Sequence, residues 1–167
     1  YKSTFLSETL EALVHQTNQN FNIYVGDDLS PDDIEPIVER FKKIKPIKYK
    51  RFDFNLGKSS LTKHWERCIQ MTEDEEWLWL LPDDDVPSRN IVEAFFKILQ
   101  TNERFDVYRF RTSHINSEGL IILDTVDPPD IEQGVEFVVN KLKYIRSSSI
   151  AEYIFSRKTY TDNAGFI

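Results

Sequence analysis

This sequence has little of several features that mark particular classes of protein. It contains one cysteine, Cys68, so an internal disulfide and a thiolate zinc site are both excluded, and a reducing compartment suits it. No run of about 18 apolar residues is present, which excludes a bilayer-spanning helix within these residues. There are only 5 glycines among 167 residues, and no internal repeat. The composition is that of an ordinary globular domain, not of a fibrous or disordered chain.

Positive charge is also scarce. The chain has 21 Lys and Arg residues against 28 Asp and Glu residues, and its formal net charge is −7. A nucleic-acid backbone would be repelled on average, so no nucleic-acid partner is expected. The hydrophobic content of 40% and the length predict one domain with its own core, over 1–167.

Helical and extended patterns alternate along the first hundred residues. The predicted segments are, in chain order, a helix over 7–17, a strand over 21–26, a helix capped by Ser30 that starts at Pro31, a strand over 47–52, a helix from Leu61, a strand over 77–81 and a helix capped by Ser88. This order predicts an α/β fold of three layers, α/β/α, around a mainly parallel central sheet with right-handed crossovers. The apolar run "WLWLL" suits a central parallel strand.

The later part of the chain has a different pattern. "DVYRFRT" and "GLIILD" flank "SHINSEG", which predicts a hairpin or a long turn. A helix over 131–142 and a strand in "SIAEYIFS" follow. The sheet is therefore expected to become mixed towards the C-terminal part.

Acidic residues follow two of the predicted strands directly. Asp27 and Asp28 come after the first, and Asp83, Asp84 and Asp85 come after "WLWLL" and Pro82. Ligands of open α/β sheets bind beyond the carboxyl ends of the parallel strands, so both clusters should lie on one edge. Adjacent carboxylates repel each other, and a divalent cation would remove that repulsion. Hard oxygen ligands suit Mg²⁺ or Mn²⁺.

A simpler explanation exists for each acidic cluster. Aspartate is common in turns and favours helix N-termini, where it caps the helix and complements its dipole. For Asp27 and Asp28 alone, capping of the helix that starts at Pro31 explains their presence better than ligand binding does. The position of the triple aspartate directly after a fully apolar strand, with a second acidic pair after another strand, favours function.

At this point the sequence resembles a known family. "SETLEALVHQTNQNFNIYVGDDLSPD", "NLGKSSLTKHWERCIQ" and "EEWLWLLPDDDVPSRNI" are similar to glycosyltransferase family 2, whose members are inverting enzymes of GT-A fold. The similarity covers about residues 1–98, and the segment "SIAEYIFSRKTYTDNAGFI" resembles a later strand and turn of the same family. The resemblance implies a nucleotide-sugar donor, UDP-linked in most members, with Mn²⁺ or Mg²⁺ on its diphosphate.

The resemblance also implies roles for particular residues. These are Asp27 or Asp28 at the nucleobase, Asp83 at the ribose or a metal-bound water, Asp84 or Asp85 as metal ligand, Lys63 or Lys58 near the diphosphate, and Tyr1 at the end of a nucleotide-binding loop. Which aspartate of the triple binds the metal stays open, because Pro82 stands where many members carry an aspartate. Many members also carry Arg-Asn where Thr62 and Lys63 stand here.

Two parts of the family pattern are expected to lie outside this chain. They are a first apolar strand before Tyr1 and a catalytic carboxylate after Ile167, so no catalytic base is assigned. The family implies a saccharide or lipid-linked acceptor, polysaccharide or glycolipid synthesis, and a cytoplasmic location. It leaves open a peripheral membrane association through regions outside this chain.

Other functions compete with this interpretation. A sugar nucleotidyltransferase would need a glycine-rich phosphate loop after its first strand, and none is visible. A receiver-type signalling domain also places acids around Mg²⁺, but it needs a lone phosphoacceptor aspartate and a later lysine. A metal- and nucleotide-binding fragment without turnover is the third alternative.

Overall fold

The structure is a computed structural model that describes residues 3–101, 104–125, 127 and 129–166. Helices and strands alternate through its first part, as the sequence predicts. The helices are α1 (Ser3–Val14), α2 (Glu35–Lys42), α3 (Leu61–Ile69), α4 (Ile91–Leu99), α5 (Gly134–Leu142) and α6 (Arg157–Asp162), with a 3₁₀ helix over Ile150–Glu152. The strands are β1 (Ile23–Asp27), β2 (Ile47–Arg51), β3 (Trp77–Trp79), β4 (Val107–Arg109), β5 (Ser113–Ile115), β6 (Ile121–Asp124) and β7 (Tyr153–Ser156).

The largest buried cluster lies between α1, α2 and the β1–β2 pair. Leu6, Leu10 and Val14 recur every four residues, so α1 presents one apolar stripe to the sheet. Val38 and Phe41 of α2 are 0% and 1% exposed beside it. Burying this surface, at about 25 cal/mol per Å², fixes both helices on the sheet.

The strands form three separate sheets among the described residues. β1 pairs in parallel with β2, from Ile23 opposite Ile47 to Asp27 opposite Arg51. β3 and β4 each pair with β7 in antiparallel fashion. β5 and β6 form a hairpin whose first strand lies within "SHINSEG", and the strand in "DVYRFRT" does not take part in it. Of the central sheet predicted as mainly parallel, the described strands form only one parallel pair, and the other two sheets are antiparallel. β3, predicted as a central parallel strand, is an edge strand of an antiparallel sheet, because β7 is its only strand partner among the described residues.

A slot separates the parallel pair from the antiparallel sheet. It is a cavity of about 940 Å³ between β1 and β3, and α1 lines it with Leu6 and Leu10. In the part of the chain that the structure describes, β1 pairs only with β2, and β3 pairs only with β7. Glu75, just before β3, accepts hydrogen bonds from Asn22 and from Tyr24 of β1. The two strands therefore begin at the same end of the slot.

Glu75 provides a pH test of this connection. Burial alone would raise the pKa of Glu75, but hydrogen bonds from Tyr24 and Asn22 outweigh it and lower the pKa to about 2, below the ordinary 4.5. The ionised carboxylate therefore stabilises the fold above pH 4.5, and this contribution is lost as the pH falls towards 2. We expect Glu75→Gln to lower the free energy of unfolding at neutral pH. This loss of stability, measured by urea titration, should shrink as the pH falls from 4.5 towards 2.

The matched control is Glu73→Gln, because Glu73 is a neighbouring carboxylate whose side chain is 66% exposed and pairs with Lys48. Its deficit should be small and should change little with pH. A Glu75→Gln deficit that stays constant from neutral pH down to pH 2 would contradict the assignment.

Two helix starts differ from the prediction for tertiary reasons. α2 begins at Glu35 and not at Pro31, because Asp27 accepts the Ser30 amide and Arg51 binds the Ser30 carbonyl, so this segment forms a loop. α4 begins at Ile91, after Asn90, so Ser88 is not its N-cap. α1 and α5 also differ from the ranges predicted for them by several residues.

The helices of the described residues are all too short or too polar to cross a bilayer.

Candidate functional site

The acidic residues after β1 and β3 line the same cavity. Asp27 is the last residue of β1 and Asp28 follows it, while Asp83 follows β3 after a three-residue apolar segment ending in Pro82. All three lie along the slot, at the end where the two strands finish. The sequence predicts that the two clusters share one edge of a sheet; in the structure these three residues share a cavity, while β1 and β3 belong to different sheets.

Asp27 is almost completely buried, with 3% of its surface exposed. Its Oδ2 accepts hydrogen bonds from the Tyr49 hydroxyl at 2.9 Å and from Arg51 Nη1 at 2.5 Å. Its Oδ1 accepts from the Ser30 amide at 2.7 Å. Burial, followed by the hydrogen bond to Asp27, raises the pKa of Tyr49 to about 12. Asp27 therefore ties β2 and the following loop to the end of β1.

Asp28 organises the loop that precedes α3. Its two oxygens accept the Leu56 and Gly57 amides, each at 2.8 Å, and it pairs with Arg67 and with His64 at 3.3 Å. Burial alone would raise the pKa of Asp28, but the two amide donors, then His64 and Arg67, lower it below its ordinary value.

Gly57 has a steric reason to be glycine at this position. A Cβ there would lie 2.7 Å from Asp28 Oδ2, so the backbone could no longer approach the carboxylate. The sequence alone suggests that Gly57 permits a turn, but its φ is not in the left-handed region. Close approach to Asp28 is the feature that requires glycine.

The triple aspartate lies in a segment without helix or strand. We call residues 82–90 the aspartate loop; the Asp85 amide donates to the Pro82 carbonyl at 3.3 Å within it. Asp83 is exposed, whereas Asp84 and Asp85 are half-buried. Only Asp83 of the three lines the cavity.

The other predicted residues lie elsewhere. Lys63 and Lys58 are exposed and do not line the cavity, and Tyr1 lies outside the described residues. The predicted role of a cation near a diphosphate therefore stays a prediction for both lysines.

No complete protein cage for a metal ion is present among residues 3–101, 104–125, 127 and 129–166. No three His, Cys, Asp or Glu side chains there are grouped so as to hold one. The aspartate loop offers hard carboxylate oxygens only. Such a donor set suits a cation that takes one or two protein carboxylates and completes its shell with phosphate and water, as Mg²⁺ commonly does.

Sequence reasoning missed the partners of the two acids. His64 and Arg67 are three residues apart on α3 and both reach Asp28, while Tyr49 and Arg51 alternate on β2 and both reach Asp27. For Tyr49 and Arg51, the signal was the parallel pairing of β1 with β2, because this pairing puts Arg51 beside Asp27. The sequence holds no comparable signal for the contact of Arg67 with Asp28.

Comparison with known proteins decides the family. A family model described as glycosyl transferase family 2 matches residues 2–153. The chain belongs to this family. Membership in glycosyl transferase family 2 confirms the resemblance seen in the sequence and sets aside the receiver and nucleotidyltransferase alternatives. No curated protein sequence matches the chain.

Solved structures of S. aureus TarS share its fold. TarS 1–349 matches with a TM-score of 0.75 and 19% identity, over 98% of this chain and 47% of the TarS chain. TarS 1–349 in complex with UDP-GlcNAc matches with the same TM-score and identity, over 98% and 45%. At this identity the match shows the fold alone, which is GT-A-like with a central sheet only partly formed by the described strands. The chain spans less than half of these TarS chains.

Proposed function

We propose that this family 2 chain binds a nucleotide-diphosphate sugar, UDP-linked, at the end of the slot where β1 and β3 finish. The observation that carries the proposal is the cavity that brings Asp27, Asp28 and Asp83 together. The TarS structures in complex with UDP and with UDP-GlcNAc support a UDP-linked donor for this fold. Asp27 or Asp28 would meet the nucleobase and Asp83 the ribose or a metal-bound water.

The proposed metal ion is Mn²⁺ or Mg²⁺, held by Asp84 or Asp85 with help from Asp83. The half-buried position of Asp84 and Asp85 supports this choice, because a partly desolvated carboxylate binds a cation more strongly than an exposed one does. When bound, the cation would neutralise the charge that develops on the leaving diphosphate.

The proposed reaction is transfer of the sugar to a hydroxyl of a saccharide or lipid-linked acceptor, with inversion at the anomeric carbon. The attacking hydroxyl needs a carboxylate base, and we assign none of the described acids to that role. The contribution of this chain is to bind and orient the donor. Asp27 and Asp28 shape the rim for that purpose, because their contacts fix the loop that follows β1 and the loop that precedes α3.

We further propose that residues 1–167 are one GT-A-like domain, with the slot as the place of an additional strand. Among the described residues, β1 and β3 each have one edge without a strand partner, and this supports the proposal, since buried backbone groups of a sheet are almost always hydrogen-bonded. The slot is also lined by apolar side chains from both strands and from α1. An apolar strand paired with both neighbours would join the two sheets into one.

Thermal melting tests the proposed donor binding. A ligand at about 100 times its dissociation constant stabilises the folded state by about 2.7 kcal/mol, or roughly 5–10 °C for a chain of this size. We expect UDP with Mn²⁺ to raise the melting temperature by this amount. UDP with a chelator, Mn²⁺ alone and uridine with Mn²⁺ should each have a much smaller effect. A melting temperature indifferent to UDP with Mn²⁺ at every concentration would contradict the proposal.

A further inference from the structure

We propose that Thr9 of α1 and Gln16, which lies just after the end of α1, are positioning residues that set the conformation of the aspartate loop. The inference rests on the proposed function, because it assumes that Asp84 or Asp85 binds the metal. Thr9 lines the slot with an uncharged side chain, and Gln16 is not among the residues that line it. They act through the backbone of the loop, one at its beginning and the other at its end.

Thr9 fixes the beginning of the loop. Its hydroxyl donates to the Asp83 carbonyl at 3.0 Å and lies 3.3 Å from the Phe5 carbonyl of its own helix. The side chain is 3% exposed, so water has little access to replace the bond. The residues joined are 74 positions apart in the sequence. The peptide carbonyl held by Thr9 belongs to the first aspartate of the triple.

Gln16 fixes the other end of the loop. Its Nε2 donates to the Ser88 carbonyl at 2.8 Å, and its Oε1 accepts the Val92 amide at 3.3 Å. Gln16 is also 3% exposed. One side chain thus joins the end of the aspartate loop to the first turn of α4. Next to it, the Thr17 amide donates to the Arg89 carbonyl at 2.9 Å.

The loop has no helix or strand of its own, so these bonds to α1 and to the residues just after it constrain its shape. A buried carbonyl or amide without a partner costs about 1–3 kcal/mol, which favours the one conformation that satisfies all of them. α1 itself is fixed by Leu6, Leu10 and Val14 in the core. The helix is therefore a rigid reference for the loop. A displacement of about 1 Å at a reacting or binding group can cost up to about 100-fold.

The chain offers matched variants for a test. Gln16→Met and Thr9→Val keep the size of each side chain and remove its hydrogen bonds, while Thr9→Ser keeps the hydroxyl. The control is Gln19→Met, because Gln19 Nε2 donates to the Val14 and Gln16 carbonyls and makes no contact with the loop among its hydrogen bonds. Circular dichroism confirms that each variant is folded.

Two measurements then distinguish positioning from a general structural role. Amide hydrogen exchange of residues 83–92 reports the loop, and UDP affinity with and without Mn²⁺ reports the metal site. For Gln16→Met and Thr9→Val we expect exchange in the loop to rise at least tenfold and the Mn²⁺-dependent gain in UDP affinity to fall about tenfold. UDP affinity without metal should stay the same, and Thr9→Ser and Gln19→Met should behave like the unmodified chain.

The outcomes separate this inference from the proposed function. Unchanged exchange in the loop, or raised exchange with an unchanged Mn²⁺-dependent gain, would overturn the positioning role and leave donor binding intact. An equal loss in Gln19→Met would overturn it too, because a general weakening of α1 would then suffice. An unmodified chain without any Mn²⁺-dependent UDP binding would overturn the proposed function and the positioning role together. If Gln16→Met does not fold, the Thr9→Val and Thr9→Ser pair decides.

Discussion

Asp84→Ala and Asp85→Ala should each abolish most of the Mn²⁺-dependent part of UDP binding. Both side chains are half-buried in a loop of carboxylate donors, and the described part of the protein contains no group of three His, Cys, Asp or Glu side chains that could hold the cation instead. A cation that relies on one or two protein carboxylates has no substitute when one is removed. We expect an affinity loss of about 100-fold, equal to about 2.8 kcal/mol, by calorimetry with Mn²⁺ present.

Three comparisons make this result specific. Affinity for UDP with a chelator present should be the same in all variants, since that part of binding does not use the cation. Asp130→Ala removes an exposed aspartate away from the loop and should change nothing. Asp83→Ala should have a smaller effect if Asp83 contacts the ribose. Full Mn²⁺-dependent affinity in both the Asp84 and the Asp85 variant would refute the metal assignment.

Replacing Asp28 with alanine should destabilise the protein by about 3 kcal/mol. The change removes the acceptor of the Leu56 and Gly57 amides and leaves the Arg67 guanidinium, 12% exposed, without its carboxylate. Removing one partner of a largely buried ion pair commonly costs about 3–5 kcal/mol, and partial exposure of Asp28 places this case at the lower end. Urea unfolding at neutral pH measures the loss.

The surrounding residues supply a graded control. Asp28→Asn keeps an acceptor for one backbone amide and should lose less stability than alanine. Arg67→Met, combined with Asp28→Ala, should cost less than the sum of the two single changes, because the pair would be absent as a unit. Asp53→Ala, at an exposed position after β2, should stay within about 0.5 kcal/mol of the unmodified chain. A loss below that limit for Asp28→Ala would show that the loop does not depend on this carboxylate.

The type and order of the elements follow from local patterns in the sequence. Apolar residues at helical spacing predicted α1 to α4, and the short apolar runs predicted β1, β2 and β3. Such patterns are readable because each element must bury one face, and that need shapes the sequence locally. The sequence indicates a hairpin or long turn near "SHINSEG", but it does not show that the first strand of the hairpin, β5, lies within that segment.

Strand partners could not be read in this way. β3 pairs with β7, and Trp77 lies opposite Ser156. An apolar strand satisfies the same pattern in a parallel or an antiparallel sheet, so the run "WLWLL" does not specify its neighbour. The start of α2 was also misplaced, because the bonds of Ser30 to Asp27 and Arg51 replaced the helical start that Pro31 suggests.

By itself, the sequence determined that acids follow two strands of an α/β chain, and it indicated the family through those same segments. Only the tertiary structure decided that Asp27 and Asp28 share a cavity with Asp83, that Arg67 binds Asp28, and that Thr9 and Gln16 donate to carbonyls of the aspartate loop. Local patterns record what a residue needs from its neighbours in the chain. The partners in these contacts come from distant segments, and folding alone brings them together.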